Sequence, residues 1–162
     1  MKAIIQKKIF DYLAKKKIQN FIGVPDSTMK HFIEQGFKKK KIIITTREEE
    51  AIGIAVGMAL SQSNSLVFMQ NAGFANSLST ITSLVQLYQI PMIFLIGWRG
   101  FLENDAPEHT KIGKIQPKLL QALSFQSMIL NEVDWKKSCD WALKSIKEGK
   151  SCALIIPREF VD

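Results

Sequence analysis

Short apolar runs recur along this chain at intervals that only a helix can bridge, and that spacing limits the possible folds more than any other feature. Phe21-Ile22-Gly23-Val24 is one such run, and others fall near residues 42–45, 65–69, 91–96, 126–130 and 152–156. Segments of helical periodicity lie near 48–61, 74–88, 116–123 and 132–148, and Ile5, Ile9, Tyr12 and Leu13 form an apolar helical face near the N-terminus. Pro25 ends the first run, and Asp26 or Ser27 can cap a helix running to about Gln35. Strand alternating with helix predicts an α/β fold with a mostly parallel sheet and helices on both faces. The stretch from Trp98 to Gln116, with Gly100, Pro107 and Gly113, reads as the longest irregular segment, the kind that is usually functional or mobile.

Length and composition fit one domain over residues 1–162, with 46% apolar residues and no internal repeat. The net charge is +7, but only three of the 22 basic residues are arginine: Arg47, Arg99 and Arg158. The lysines gather in runs, Lys15–Lys17 and Lys38–Lys41, at the ends of predicted helices, where the helix dipole favours cations. No zinc-finger, RNP-like or helix-turn-helix signature accompanies them, so nucleic acid is not an expected partner. The longest apolar run, Ile90 to Trp98, is about half of the roughly 20 residues needed to cross a membrane. Cys139 and Cys152 have neither metal-ligand spacing nor a disulfide framework, which suggests a reducing, cytoplasmic setting with both thiols buried.

Chemistry is concentrated just after three of the apolar runs. Thr45 to Gly57 places Glu48, Glu49 and Glu50 where a strand gives way to a helix carrying Ala51, Ala55 and Ala59 on one face, beside Gly53 and Gly57. Thr46 with Glu49 fits a capping box, and acidic residues in a first turn also favour the helix dipole. Gln70-Asn71-Ala72-Gly73 follows the next run, and Gly97-Trp98-Arg99-Gly100 the one after it. Ligands of parallel α/β sheets bind outside the carboxyl ends of strands, so these segments point to one shared site. Neither G-x-G-x-x-G nor a P-loop occurs, which argues against a nucleotide-binding module.

Taken in order, Val24-Pro25-Asp26-Ser27, Arg47-Glu48 to Gly57, Met69 to Asn76, and Gly97 to Gly100 with His109 resemble the pyrimidine-binding domain of the thiamine-diphosphate-dependent phosphonopyruvate and sulfopyruvate decarboxylases. The resemblance covers most of residues 20–115 and implies the thiamine-diphosphate-binding fold. It also implies roles. Glu48, placed nine residues before Gly57 and three before Ala51, would be the catalytic carboxylate that hydrogen-bonds N1′ of the cofactor's aminopyrimidine and brings its 4′-amino group to the proton-abstracting imino form. Gln70, Asn71 and Gly73 would line the cofactor pocket with Glu48, while Asp26, Ser27, Arg99 and His109 would meet a small anionic 2-oxo acid substrate. His31 lies on a predicted helix outside these motifs and reads as structural.

Enzymes of this type hold the diphosphate through Mg2+ on a Gly-Asp-Gly segment in a second domain, and nothing in this chain resembles it. The expectation is an α subunit, active in a hetero-oligomer with a β subunit that carries the Mg2+ and diphosphate ligands; a fragment of a longer chain is the other possibility. The motifs favour phosphonopyruvate as substrate, to phosphonoacetaldehyde and CO2, whereas the split layout favours sulfopyruvate, to sulfoacetaldehyde and CO2. A non-catalytic α/β binding module sharing the fold is the remaining alternative.

Overall fold

The computed structural model describes residues 1–101 and 105–158. Its elements run α1 (Ala3–Lys15), β1 (Asn20–Gly23), a 3-10 turn (Ser27–Met29), α2 (Lys30–Lys39), β2 (Ile42–Ile44), α3 (Glu48–Leu60) and β3 (Ser65–Gln70). They continue through α4 (Asn71–Asn76), α5 (Leu78–Thr80), a π-helical segment (Ile81–Gln86), β4 (Ile93–Trp98), α6 (Pro107–Ala122), β5 (Gln126–Ile129), α7 (Trp135–Lys147) and β6 (Cys152–Pro157). The strands form one sheet in the order β2-β1-β3-β4-β6-β5, every neighbouring pair parallel. The fold is therefore α/β, as the alternation predicts.

The three central strands explain the apolar runs. In β3, β4 and β6 successive side chains enter opposite cores: Leu66, Phe68, Ile93, Leu95, Leu154 and Ile156 face one, and Val67, Met69, Phe94, Ile96, Ala153 and Ile155 the other. Helices α1, α2 and α7 cover the first face; α3, α4, the π-helical segment and α6 cover the second. Each fully buried aliphatic or aromatic side chain contributes about 1.5–3 kcal/mol, so a polar replacement in these strands would be costly. Because β1 is followed on one side by β2 and on the other by β3, the strand order reverses at β1 and β3, and a crevice opens at their carboxyl ends.

Three local expectations are corrected. The segment before Gln116 is largely helical, since α6 begins at Pro107. Proline at the first helical position has no orphan N–H to satisfy, so Pro107 starts this helix. Pro117 then removes the N–H that would bond to the carbonyl of Gly113, and the Trp98 indole Nε1 donates to that carbonyl instead, at 2.9 Å. Residues 102–104 of the expected loop lie outside the described residues. The predicted helix over 74–88 starts earlier, at Asn71, and is interrupted after Asn76 before its π-helical turn. Thr46 is bonded by Glu50, not Glu49: Glu50 Oε2 accepts from the backbone N–H and the hydroxyl of Thr46, both at 3.2 Å.

Candidate cofactor and substrate site

The turn between β2 and α3 is fixed before any ligand arrives. The Thr45 backbone N–H donates to Gly23 O at 3.1 Å, tying the turn to the end of β1, and the Thr45 hydroxyl donates to Arg47 O at 3.0 Å. Arg47 is extended, and α3 starts at Glu48. The three consecutive glutamates then separate by environment. Glu49 pairs with Arg47 at 3.5 Å and Glu50 bonds Thr46, whereas Glu48 makes no hydrogen bond or ion pair among the described residues. Its half-buried carboxyl lies against Gly73 of α4, where a Cβ would sit 2.2 Å from Glu48 Oε1. Only glycine leaves room for that carboxyl. A carboxylate without a partner, seated in a cradle that any side chain would fill, is suited to bonding a protonated ring nitrogen, so these residues fit the aminopyrimidine end of the expected cofactor.

A second group forms where β1, β3 and β4 end. Asp26, nearly buried, accepts from the Thr28 N–H at 2.8 Å and from the Thr28 hydroxyl, and its other oxygen accepts from Gln70 Nε2 at 2.8 Å. Gly97 permits this, because a Cβ there would lie 2.5 Å from Asp26 Oδ1. Asp26 thus caps the 3-10 turn after β1 and not, as expected, the helix itself, which begins at Lys30 and runs to Lys39, and it also joins β1 to β3. Ser27, beside it, is exposed. Asn71 is fully buried and spans two strands: its Nδ2 donates to Arg99 O at 2.8 Å and its Oδ1 accepts from Arg99 N at 3.2 Å. The Asn71 side chain therefore holds the end of β4 in place.

Arg99 is engaged within the chain. Its Nε and NH2 donate to Asp105 at 2.8–3.2 Å, and Gly100 and Ala106 give their backbone N–H groups to the same carboxylate, at 2.7 and 2.8 Å. Arg158 also donates to Asp105, whose side chain is only 1% exposed. The Arg99 guanidinium holds the Asp105 carboxyl well below the usual carboxylate range. His109 lies in the first turn of α6; its ring Nε2 stands 4.0 Å from the exposed Glu108 carboxylate, and its carbonyl packs against Gly100.

Three residues whose placement the structure reveals carry no sequence signal. Asp105 and Thr28 take their roles from contacts across the loop and turn. Gln116, expected at the start of a short helix, is fully buried in α6 with neither of its side-chain polar atoms bonded among the described residues. Cys139 and Cys152 are buried and unpaired, and burial pushes both thiols up to about 12. No helix among the described residues is long and apolar enough to cross a membrane.

Comparison of the sequence with known families gives a match. The sequence model of the family described as thiamine pyrophosphate enzyme, N-terminal TPP binding domain, matches residues 5–125. The chain belongs to this family. Within it, the chain is 35% identical over 114 residues to the sulfopyruvate decarboxylase subunit alpha of Methanocaldococcus jannaschii, covering 69% of this chain and 68% of that one. Its counterpart from Methanococcus maripaludis is 33% identical over 112 residues, covering 69% and 64%. The phosphonopyruvate decarboxylase of Streptomyces viridochromogenes is 30% identical over 116 residues, a match covering 29% of that longer protein. The sulfopyruvate reading, the alternative drawn from the split layout, is thus supported better than the phosphonopyruvate reading that the motifs favoured.

Proposed function

We propose that this chain is the α subunit of a thiamine-diphosphate-dependent sulfopyruvate decarboxylase, forming sulfoacetaldehyde and CO2 together with a β subunit. The observation that carries the reading is the Glu48 carboxylate, unpaired among the described residues and seated against Gly73 while its two neighbours are engaged. The similarity to sulfopyruvate decarboxylase α subunits over more than two thirds of this chain supports the substrate class and the need for a partner.

Bound thiamine diphosphate would supply the electron sink that lets a 2-oxo acid lose its carboxylate. Glu48 would keep a proton at N1′ of the aminopyrimidine, a charge-assisted bond strengthened by partial burial. Gly73 leaves space for that carboxyl, and Asn71 fixes the neighbouring end of β4. Asp26, oriented by Gln70 and Thr28, would face the reacting end of the substrate and position its proton traffic. The ligands of Mg2+ and diphosphate are expected on the β subunit, and the two unpaired cysteines suit a cytoplasmic complex.

The test is reconstitution. The purified chain, its β subunit and the mixture are each supplied with thiamine diphosphate, Mg2+ and sulfopyruvate, and CO2 release is followed. The mixture alone should turn over. Full activity of this chain by itself would overturn the two-subunit reading, and a preference of the mixture for plain pyruvate would overturn the anionic substrate.

A further inference from the structure

Arg99 is the arginine that the motifs assign to the substrate anion, yet its Nε and NH2 already lie on Asp105. The same carboxylate is shared with Arg158, so the cluster of two guanidiniums and one carboxylate keeps one positive charge in excess. That excess is accessible at Arg158, whose side chain is 42% exposed against 13% for Arg99. Arg158 gives Asp105 one N–H, from NH1; its Nε and NH2 have no partner among the described residues. Its backbone N–H donates to Trp98 O at 3.2 Å, which anchors the residue directly beyond the ends of β4 and β6.

Arg158 also lines a cavity of about 480 Å³, together with Gln6, Ser27, Thr28, Lys30 and His31. Lys30 makes no ion pair among the described residues; Glu34, whose carboxyl it helps to hold down, offsets part of its charge, so it adds a second, partly compensated cation. His31 is held by Glu34 at 2.9 Å, and Lys2, at the cavity rim, is held by Glu132 at 2.9 Å, so neither adds much net charge. The floor is rigid. Gln6, 4% exposed, accepts from the N–H groups of His31 and Phe32 at 3.1 Å and donates to Thr28 O at 2.9 Å, which fixes the start of α2 and the 3-10 turn together. The same turn carries Asp26, the carboxylate bridged to Gln70. A planar guanidinium with two donor groups unbonded among the described residues, beside a lysine and the exposed Ser27 hydroxyl, matches a tetrahedral oxyanion, while the Thr28 hydroxyl is already given to Asp26.

We propose that this cavity receives the remote sulfonate or phosphonate of the substrate, with Arg158 and Lys30 as the residues that select an anionic 2-oxo acid over pyruvate, and Asp105 with Arg99 as the group that positions Arg158. This rests on the decarboxylase reading above. The test uses the complex reconstituted with the β subunit, comparing sulfopyruvate, phosphonopyruvate and pyruvate in the wild type, Arg158→Gln and Lys30→Gln. For the anionic substrates kcat/KM should fall by about 10- to 100-fold in Arg158→Gln and by about 3- to 10-fold in Lys30→Gln, carried mainly by KM, as expected for lost charge-assisted bonds. Pyruvate turnover should change by less than about 3-fold in either variant. The ratio of sulfopyruvate to phosphonopyruvate in the wild type tells which oxyanion the cavity prefers. Equal losses on all three substrates, or undiminished discrimination in both variants, would overturn the assignment while leaving the decarboxylase reading intact. A wild-type complex that decarboxylates none of them would remove the reading on which it rests. Lys30 is exposed at the start of α2, so its variant keeps the test decisive if Arg158→Gln folds poorly.

Discussion

Two carboxylates stand at the same edge of the sheet in opposite circumstances. Asp105 is almost completely buried and accepts from two guanidiniums and two backbone N–H groups, whereas Glu48 is half-buried and has no partner among the described residues. The physical chemistry of each is consistent with a different task. A buried charge that is fully bonded holds its surroundings in one arrangement, and removing one side of such a group costs several kcal/mol. A carboxylate kept open, with a glycine opposite it so that nothing else fills the space, remains available to a ligand. Family resemblance singles out Glu48 in the sequence, whereas Asp105 is only an acidic residue in a loop there; its surroundings give it a role.

The sharpest way to break this comparison is a crossed pair of substitutions. Glu48→Gln should lower kcat of the reconstituted enzyme by about 10^2- to 10^4-fold while changing the stability of the isolated chain by less than about 1 kcal/mol. Asp105→Asn should do the reverse in the isolated chain, costing about 3–5 kcal/mol in urea unfolding because two guanidiniums lose their counter-charge. The pH dependence follows from the depressed Asp105 carboxyl. Below the ordinary carboxylate value of about 3.9 the unfolded chain binds a proton that the native chain refuses, so stability present at higher pH is lost as pH falls. That acid loss should be shallower in Asp105→Asn. If instead Glu48→Gln destabilises the chain and Asp105→Asn leaves it unchanged, the two roles are misassigned.

A smaller effect tests a third polar residue, in α6. Gln116 is buried in α6 with its amide unbonded among the described residues. Gln116→Met keeps the length and removes the desolvation penalty, so the thermal midpoint of the isolated chain should rise by about 2–4 °C, corresponding to about 1 kcal/mol. A fall of the same size would mean that the amide makes bonds important to the native state.

How much of this was legible in the sequence depends on the range of the interactions. The sheet was readable because β3, β4 and β6 are buried on both faces and so appear as unbroken apolar runs. Glu48 was singled out by its match to the family pattern, which involves only Ala51 and Gly57 of the same helix, and its role is the proposal that the substitutions above test. The first turns of α6 were not legible, because Pro107 and Gly113 read as loop residues, whereas Pro107 starts the helix and Trp98, from a strand, bonds the Gly113 carbonyl that Pro117 leaves free. The place of Arg158 beside Asp105 was hidden for the same reason. It depends on β6 lying beside β4, a neighbour relation that joins residues far apart in the chain.

The central claim is that Glu48 activates the cofactor, and exchange of the thiazolium C2 proton for deuterium measures that step without requiring substrate. With the reconstituted complex and bound thiamine diphosphate, exchange in Glu48→Gln should be at least about 100-fold slower than in the wild type, and Glu49→Gln should remain close to wild type. Wild-type exchange rates in Glu48→Gln, with cofactor demonstrably bound, would contradict the account.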